Sequence, residues 1–392
     1  MQEEKGLRND RCDIGTAAGA CCGKAEIQPF PMFPGSCGSV ETPVSPAGVN
    51  GTVPTPRPVP KIAAEWSRAD YWGMVKSRIS GFRMRYGVAP GLYALGEPTR
   101  ESDVFVSANY KLSFDILRRS LAGLDAWVLV LDTKNINVWC AAGKGTFGTA
   151  ELLKRIAEAK LSEVVAHRRI ILPQLGAVGV NASAVQKKTG FRVLYGPVDA
   201  AGIKAYVQAG YKKTREMSTV RFSFGDRLVL TPMEINPAMK KFAWVAGIML
   251  LIFGLQPSGI LFHPAWSNGL PFLILALVAV FAGAVATPVL LPYVPFRSFA
   301  LKGWILGLAA VLLAINSFGV LENLGSVRTI ASLLFFPAAS SYLALQFTGA
   351  TTFTTISGVK KELRIAIPIY IGAAAASFLL IIVFKVMEWR MA

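Results

Sequence analysis

The hydrophobic and polar positions divide the chain into three unlike stretches. Beyond residue 240, five long apolar runs follow one another, at 242–262, 270–290, 303–320, 329–347 and 365–383. Each is close to the roughly 20 apolar residues that cross hydrocarbon as a helix. None has Asp, Glu, Lys or Arg in its interior. Ionisable groups would mark an ion or proton path, so the pattern predicts an all-α transmembrane domain of about five helices that anchors rather than pumps. Gly303-x-x-x-Gly307 predicts close helix packing, and Pro288 a kink or a span end.

Residues 61–237 read differently. Short apolar runs at 104–106, 127–131, 169–172 and 191–195 predict buried strands, and stretches at 114–121 and 150–156 have the period of amphipathic helices. Gly123 is a natural stop for the first of these helices. Strands separated by helices predict an α/β domain of Rossmann-like form, with a mostly parallel sheet covered on both faces. Ligands of such sheets bind outside the carboxyl ends of the strands. Residues 1–60 show no period, are rich in Gly, Pro, Ser and Thr, and end in a run from Val53 to Pro60 with every second residue proline. This composition buries too little apolar surface to offset its ordering entropy, which predicts a disordered leader. It is not a signal peptide, since Glu3 and Glu4 sit near its start and no apolar core follows. The expected organisation is therefore 1–60 leader, 61–237 α/β domain and 238–392 membrane domain.

Composition supports the membrane reading. Of 392 residues, 53% are hydrophobic, and the mean hydropathy is +0.44. The net charge of +17 would suit nucleic acid, yet no nucleic-acid module accompanies it. Basic residues beside the spans account for part of the excess. Lys240 and Lys241, Arg297 and Lys302, and Lys360, Lys361 and Arg364 all fall on one side, whereas the loop at 263–269 has none. The positive-inside rule then puts the α/β domain on the cytoplasmic face of the inner membrane. Lys385 and Arg390 fall on the far side and conflict mildly with this.

The stretch with the most specific chemistry runs from Leu131 to Thr149, between the strand at 127–131 and the helix at 150–156. It holds Cys140, the only cysteine beyond residue 40, followed by small residues. A lone cysteine is often just a small core residue. Gly143, Gly145 and Gly148 have dinucleotide-loop spacing, but the next strand ends in Pro173 and Gln174, with no acid to bind a ribose. A phosphate loop fails because Gly145 follows Lys144 where Ser or Thr is needed. The other cysteines, Cys12, Cys21, Cys22 and Cys37, have neither the spacing of an iron–sulfur cluster nor that of a zinc site. The adjacent Cys21 and Cys22 could hold a soft ion such as Hg(II), or be incidental tail thiols. An odd cysteine count makes no disulfide framework and suits a reducing compartment.

The segment Asn137-Val138-Trp139-Cys140-Ala141-Ala142-Gly143-Lys144 resembles the cap-helix signature of the HgcA family, the membrane-anchored corrinoid proteins of microbial mercury methylation. The likeness extends to 104–115, which includes Ser107 and Ser113, and to the hydrophobic C-terminal third, so it covers most of the chain beyond residue 60. The corrinoid domain of that family is similar to that of corrinoid iron–sulfur proteins. The resemblance implies a cobalamin-type corrinoid whose cobalt takes Cys140 as axial ligand. Asn137, Val138, Trp139, Ala141, Ala142, Gly143 and Lys144 would then border the ring, with Trp139 packing the cap against the sheet and Ser107 and Ser113 near the cofactor. Neither His167 nor His263 sits in an Asp-x-His-x-x-Gly pattern, so neither is favoured as a cobalt ligand.

The implied activity is transfer of a methyl group from cobalt to Hg(II). A thiolate donor pushes electron density onto the metal and favours that transfer, and Cys140 would have to detach when cobalt is reduced. A ferredoxin-like iron–sulfur protein is implied as electron donor and Hg(II) carrier, and a folate-linked protein as methyl donor. Two other readings remain open: a general corrinoid methyl carrier of one-carbon (acetyl-CoA pathway) metabolism, and a membrane-anchored corrinoid-binding module without turnover.

Overall fold

The computed structural model of the protein describes residues 49–53, 59–320, 325–347, 354 and 356–391. The leader cysteines Cys12, Cys21, Cys22 and Cys37 lie outside the described residues. In chain order the α/β part comprises β1 (Val49–Val53), β2 (Val59–Ile62), α1 (Arg68–Ile79), β3 (Gly91–Leu95), β4 (Val104–Ala108), α2 (Lys111–Ser120) and β5 (Ala126–Leu131). It continues with α3 (Val138–Lys144), α4 (Thr149–Glu158), α5 (Leu161–Val164), β6 (Arg169–Leu172), α6 (Ala182–Thr189), β7 (Arg192–Tyr195) and α7 (Ile203–Gln208).

The strands form one seven-stranded sheet in the order β1-β2-β3-β5-β4-β6-β7. Strands β5, β4, β6 and β7 are mutually parallel, whereas β3 runs antiparallel to β5. The mostly parallel α/β sheet expected from the sequence is therefore present. Every residue of β4 and β5 is buried, because helices cover both faces of a parallel sheet. Val106 and Leu129 belong to the core beneath α4 and α6, while Phe105 and Val128 belong to the core beneath α2 and α7. At the other edge, β1 and β2 draw residues from the expected leader into the sheet. Their alternation is short and interrupted by prolines, which hides it in the sequence.

A buried ion cluster fastens α1 to α2. Lys111 Nζ lies 2.6 Å from Asp70 Oδ1 and 2.7 Å from Asp115 Oδ2. Arg118 Nε donates to Asp115 Oδ1 at 2.8 Å, and its Nη1 donates to the Ala63 and Glu65 carbonyls. Arg118 Nη2 lies 2.8 Å from Asp70 Oδ2, an ion pair without good hydrogen-bond alignment. Two acids balance two bases, so no net charge is left inside. Burial alone would raise the Asp70 carboxyl, but hydrogen bonds from Lys111 and Ser67 outweigh it and hold it at about 2, below its ordinary 3.8.

The membrane part begins with α8 (Phe224–Leu230) and α9 (Pro232–Gly254), followed by a small hairpin of β8 (Leu255–Gln256) and β9 (Gly259–Ile260). Then come α10 (Phe262–Phe281), α11 (Thr287–Val289), α12 (Phe299–Phe318), α13 (Gly325–Gln346) and α14 (Ile356–Met391). Among the described residues, five helical spans are long and apolar enough to cross a membrane. The first differs from expectation: it ends at Gly254, and the turn residues Pro257, Ser258 and Gly259 break the apolar run at 242–262. Pro237, at the expected end of the α/β domain, lies inside α9. A π-helical turn at Ala282–Ala286 precedes Pro288. Gly303 and Gly307 lie so close to α13 that an added Cβ would meet Ala344 or Ser340 at 2.5 Å. Lys385 is buried and pairs with Glu388 at 2.5 Å, so it is not a free charge.

Replacing Lys111 with Met should cost about 3–5 kcal/mol of stability in denaturant unfolding, because Arg118 alone then faces two buried carboxylates and one negative charge is left uncompensated. Acid should act on the same cluster with a definite sign. A carboxylate whose pKa is lowered by folding stabilises fully above its unfolded pKa of 3.8, and that contribution is lost as pH falls through about 2. Melting curves across that window should show stability falling with pH in the parent and a flatter response in Asp70→Asn.

Candidate functional site

The chain leaves β4 toward β5 on one side and leaves β6 toward β7 on the other. The carboxyl ends of β4 and β6 therefore form a topological switch point, where the diverging connections open a crevice. A cavity of about 830 Å³ lies there. Ser107 from β4, Pro173 after β6 and Pro197 after β7 line its floor, and Ser113 and Ile116 of α2 line one flank. A strap at 216–226 supplies another wall through Glu216, Thr219, Arg221 and Asp226. The strap leads into α8, whose buried Arg227 donates to the Phe222 and Val289 carbonyls. Phe222 stacks on Phe347 at 6.3 Å, so this wall of the cavity is tied to the membrane domain.

The loop that leads from β5 to α3 is held by one side chain. Asn109 Oδ1 accepts from the Thr133 amide at 3.0 Å, from the Thr133 hydroxyl at 2.9 Å and from the Asn135 amide at 3.0 Å. Asn109 Nδ2 donates to Asn135 Oδ1 at 3.2 Å. This anchorage matters because Lys134 and Asn135 both have left-handed backbone, with φ of 58° and 57°. Non-glycine residues rarely adopt that conformation without compensation. The Asn135 side chain also sits over Gly87, where a Cβ would meet it at 1.9 Å.

Helix α3 follows from that loop. Asn137 is its N-cap and accepts from the Cys140 amide at 2.9 Å. Gly145, at φ 81°, ends it. Ala141 and Ala142 face the core and pack the helix on the sheet. The turn after β6 supports it from behind, since a Cβ on Gly179 would lie 2.1 Å from the Phe147 carbonyl and 3.2 Å from Ala142 Cα. Of the residues singled out from the sequence, Ser107, Ser113, Asn137, Val138 and Trp139 line the cavity. Trp139 is 40% exposed, so the packing expected of it falls to the two alanines. Cys140 is half-buried on the next position of the helix and does not itself line the cavity. Gly143 and Lys144 are exposed and lie off the lining. His167 Nε2 meets the Ser102 carbonyl at 2.9 Å, ahead of β4 and so at the opposite end of the sheet.

Two parts of the site escape sequence reasoning. Asn109 has one available signal, its place just after an apolar strand, where Asn bonds to backbone. The strap has none, because its polar residues resemble those of any linker.

Residues 83–207 match the family model for the CO dehydrogenase/acetyl-CoA synthase delta subunit, CdhD. The chain is 32% identical over 126 residues to the acetyl-CoA decarbonylase/synthase complex subunit gamma of Archaeoglobus fulgidus. It is 28% identical over 120 residues to the corrinoid/iron-sulfur protein large subunit of Moorella thermoacetica. Residues 83–207 are thus similar to a domain of corrinoid proteins. The matched stretches make up 32% and 30% of this chain and 26% of each relative, so the chain spans about a quarter of their length. The long apolar helices lie outside residues 83–207.

Replacing Asn109 with Ala should leave the Thr133 and Asn135 amides unpaired, at about 1–3 kcal/mol for each that stays buried, while the Thr133 hydroxyl keeps the Ile136 carbonyl at 2.6 Å. Hydrogen exchange at Thr133 and Asn135 should accelerate while the β5 amides stay protected. Gly179→Ala should displace α3 without unfolding the sheet, read as a rise in Trp139 exposure to aqueous quencher.

Proposed function

We propose that this chain is a membrane-anchored corrinoid protein that carries methyl groups, with the corrinoid in the switch-point cavity. The observation that carries the reading is the position of that cavity, beneath a capped helix, in a domain similar to one of corrinoid proteins. The relatives are subunits of one-carbon enzymes, and they favour the general methyl-carrier reading over mercury methylation.

The residues present fit a large flat ring edged with amides. The floor is apolar, with Phe105, Val106, Ile171 and Leu172, while Ser107, Ser113, Asn137 and Thr219 offer hydrogen bonds at its margin. Such a mix, mostly apolar with a few convergent polar groups, is typical of cofactor pockets. A bound corrinoid supplies a cobalt centre able to accept and release a methyl group. The chain's own residues do the positioning. Asn109 and Asn137 fix α3, Trp139 would lie against a bound ring, and the strap would shield one flank from water. Cys140 is the cysteine placed beside the cavity and is the protein donor assigned to cobalt in this reading. The assignment of the α/β domain to the cytoplasmic face and of a ferredoxin-like partner belongs to the same proposal.

A second reading, with Hg(II) as methyl acceptor, rests on one observation. The segment from Asn137 to Lys144 folds as a short capped helix in which Cys140 directly follows the cavity-lining Trp139. A thiolate donor would favour transfer to a soft electrophile.

Cys140→Ala separates the claims. The variant should still bind corrinoid but lose the cobalt–sulfur features of the absorption spectrum, and an unchanged spectrum would remove Cys140 from the metal. Methyl-loaded parent protein mixed with Hg(II) should form methylmercury faster than the free methyl-corrinoid does if the second reading holds. No acceleration removes that reading and leaves the methyl carrier.

A further inference from the structure

Helix α1 turns small and polar residues inward and leaves large apolar ones outward, among the exposed bases Arg68 and Lys76. Its inward face carries Asp70, Gly73 and Ser77, all buried. Its outward face carries Trp72, Val75 and Ile79, at 64%, 37% and 45% exposure. These positions fall at i, i+3 and i+7, one stripe of a helix. Tyr71 and, just beyond the helix, Met84 widen the stripe. Among the described residues of the α/β part, the other exposed large apolar side chains are Ile116 and Trp139, at the cavity, and Val178. The α1 patch is therefore the one apolar surface of that part not accounted for by the proposed site.

The charge of the patch is equally one-sided. Between residues 66 and 85 the chain has Arg68, Lys76, Arg78, Arg83 and Arg85, and its only acid, Asp70, is consumed in the buried cluster. The patch also adjoins the anchor. Helix α1 packs beside α9, and Arg83 Nη1 lies 3.4 Å from Met233 Sδ. Met233 precedes Lys240 by seven residues, roughly 10 Å of helix, within reach of tryptophan and arginine side chains. Lys240 and Lys241, both exposed, stand where α9 becomes wholly apolar.

We propose that α1 is an interfacial helix that lays Trp72, Val75 and Ile79 on the anionic headgroup surface of the membrane that α9 enters. The juxtaposition favours lipid over a protein partner, because the patch is continuous with a spanning helix and its cations match anionic lipid. Tryptophan at such a boundary is energetically at home, with its ring in the apolar margin and its N–H in the wet zone. Docking at α1 gives the α/β part a second attachment besides the strap. Two attachments fix its tilt, and so the direction in which the cavity opens, where one would leave it to swing.

The full-length chain in nanodiscs tests this. Tryptophan emission is compared between parent and Trp72→Phe, in discs with and without brominated lipid, so that the difference reports Trp72 alone. In discs of equal parts phosphatidylglycerol and phosphatidylcholine, the Trp72 signal should lose most of its intensity to brominated lipid and little to aqueous iodide. In phosphatidylcholine alone, or in an Arg68→Gln/Lys76→Gln background, the lipid quenching should weaken and iodide quenching should rise. A Trp72 signal quenched by iodide and untouched by brominated lipid would overturn the proposal by placing the face in water. A signal shielded from both would overturn it too, by showing that a protein surface covers the patch.

Discussion

The side-chain amide of Asn109 is the contact on which the geometry of the site depends. It stands at the carboxyl end of β4, the central strand of the switch point, and spends its oxygen on three donors from the loop after β5. That loop contains two consecutive non-glycine residues at positive φ, a conformation that costs free energy unless the surroundings over-determine it. Held this way, the loop delivers Asn137 as a helix cap, and the cap sets the direction of α3. What α3 brings to the cavity, Val138 and Trp139, and the neighbouring Cys140 inherit their positions from that amide. The Gly176–Gly179 turn then closes the helix in from behind, at distances that no side chain would permit.

The sequence makes the regular parts legible and hides the irregular ones, for reasons visible residue by residue. Strands β4 and β5 read as unbroken apolar runs because both of their faces are covered. The membrane spans read as long apolar runs because lipid demands them. The hairpin at 255–260 was hidden inside one such run, since Leu255, Ile260 and Leu261 keep the hydropathy high while Pro257 and Gly259 end the helix. Strands β1 and β2 sit at an edge where prolines are tolerated and mask the alternation. Within the site, the segment from Asn137 to Trp139 and the serines Ser107 and Ser113 could be singled out from residue pattern and resemblance. The strap could not, because its role comes from where α8 and α9 carry it.

The strap also changes how the two halves of the molecule relate. Charge-free spans suggested an anchor separate from the chemistry. Instead, one wall of the cavity is continuous with the first membrane helix and is pinned by Arg227 to the carbonyl of Val289. Movement in the membrane helices would reach the cavity through that wall. Buried Lys385 likewise serves internal packing, since it pairs with the half-buried Glu388 and also reaches the Phe253 carbonyl at 3.3 Å.

The central claim is that the switch-point cavity holds a corrinoid, and equilibrium titration of the detergent-solubilised full-length protein with cobinamide tests it most directly. Ile116 lines the cavity from an exposed position on α2, at 38% exposure, so Ile116→Trp fills the space while leaving the core intact. The account predicts a saturable spectral change with one corrinoid per chain in the parent, lost or strongly weakened in Ile116→Trp. Equal binding by the two proteins, or none by a folded parent, would contradict it.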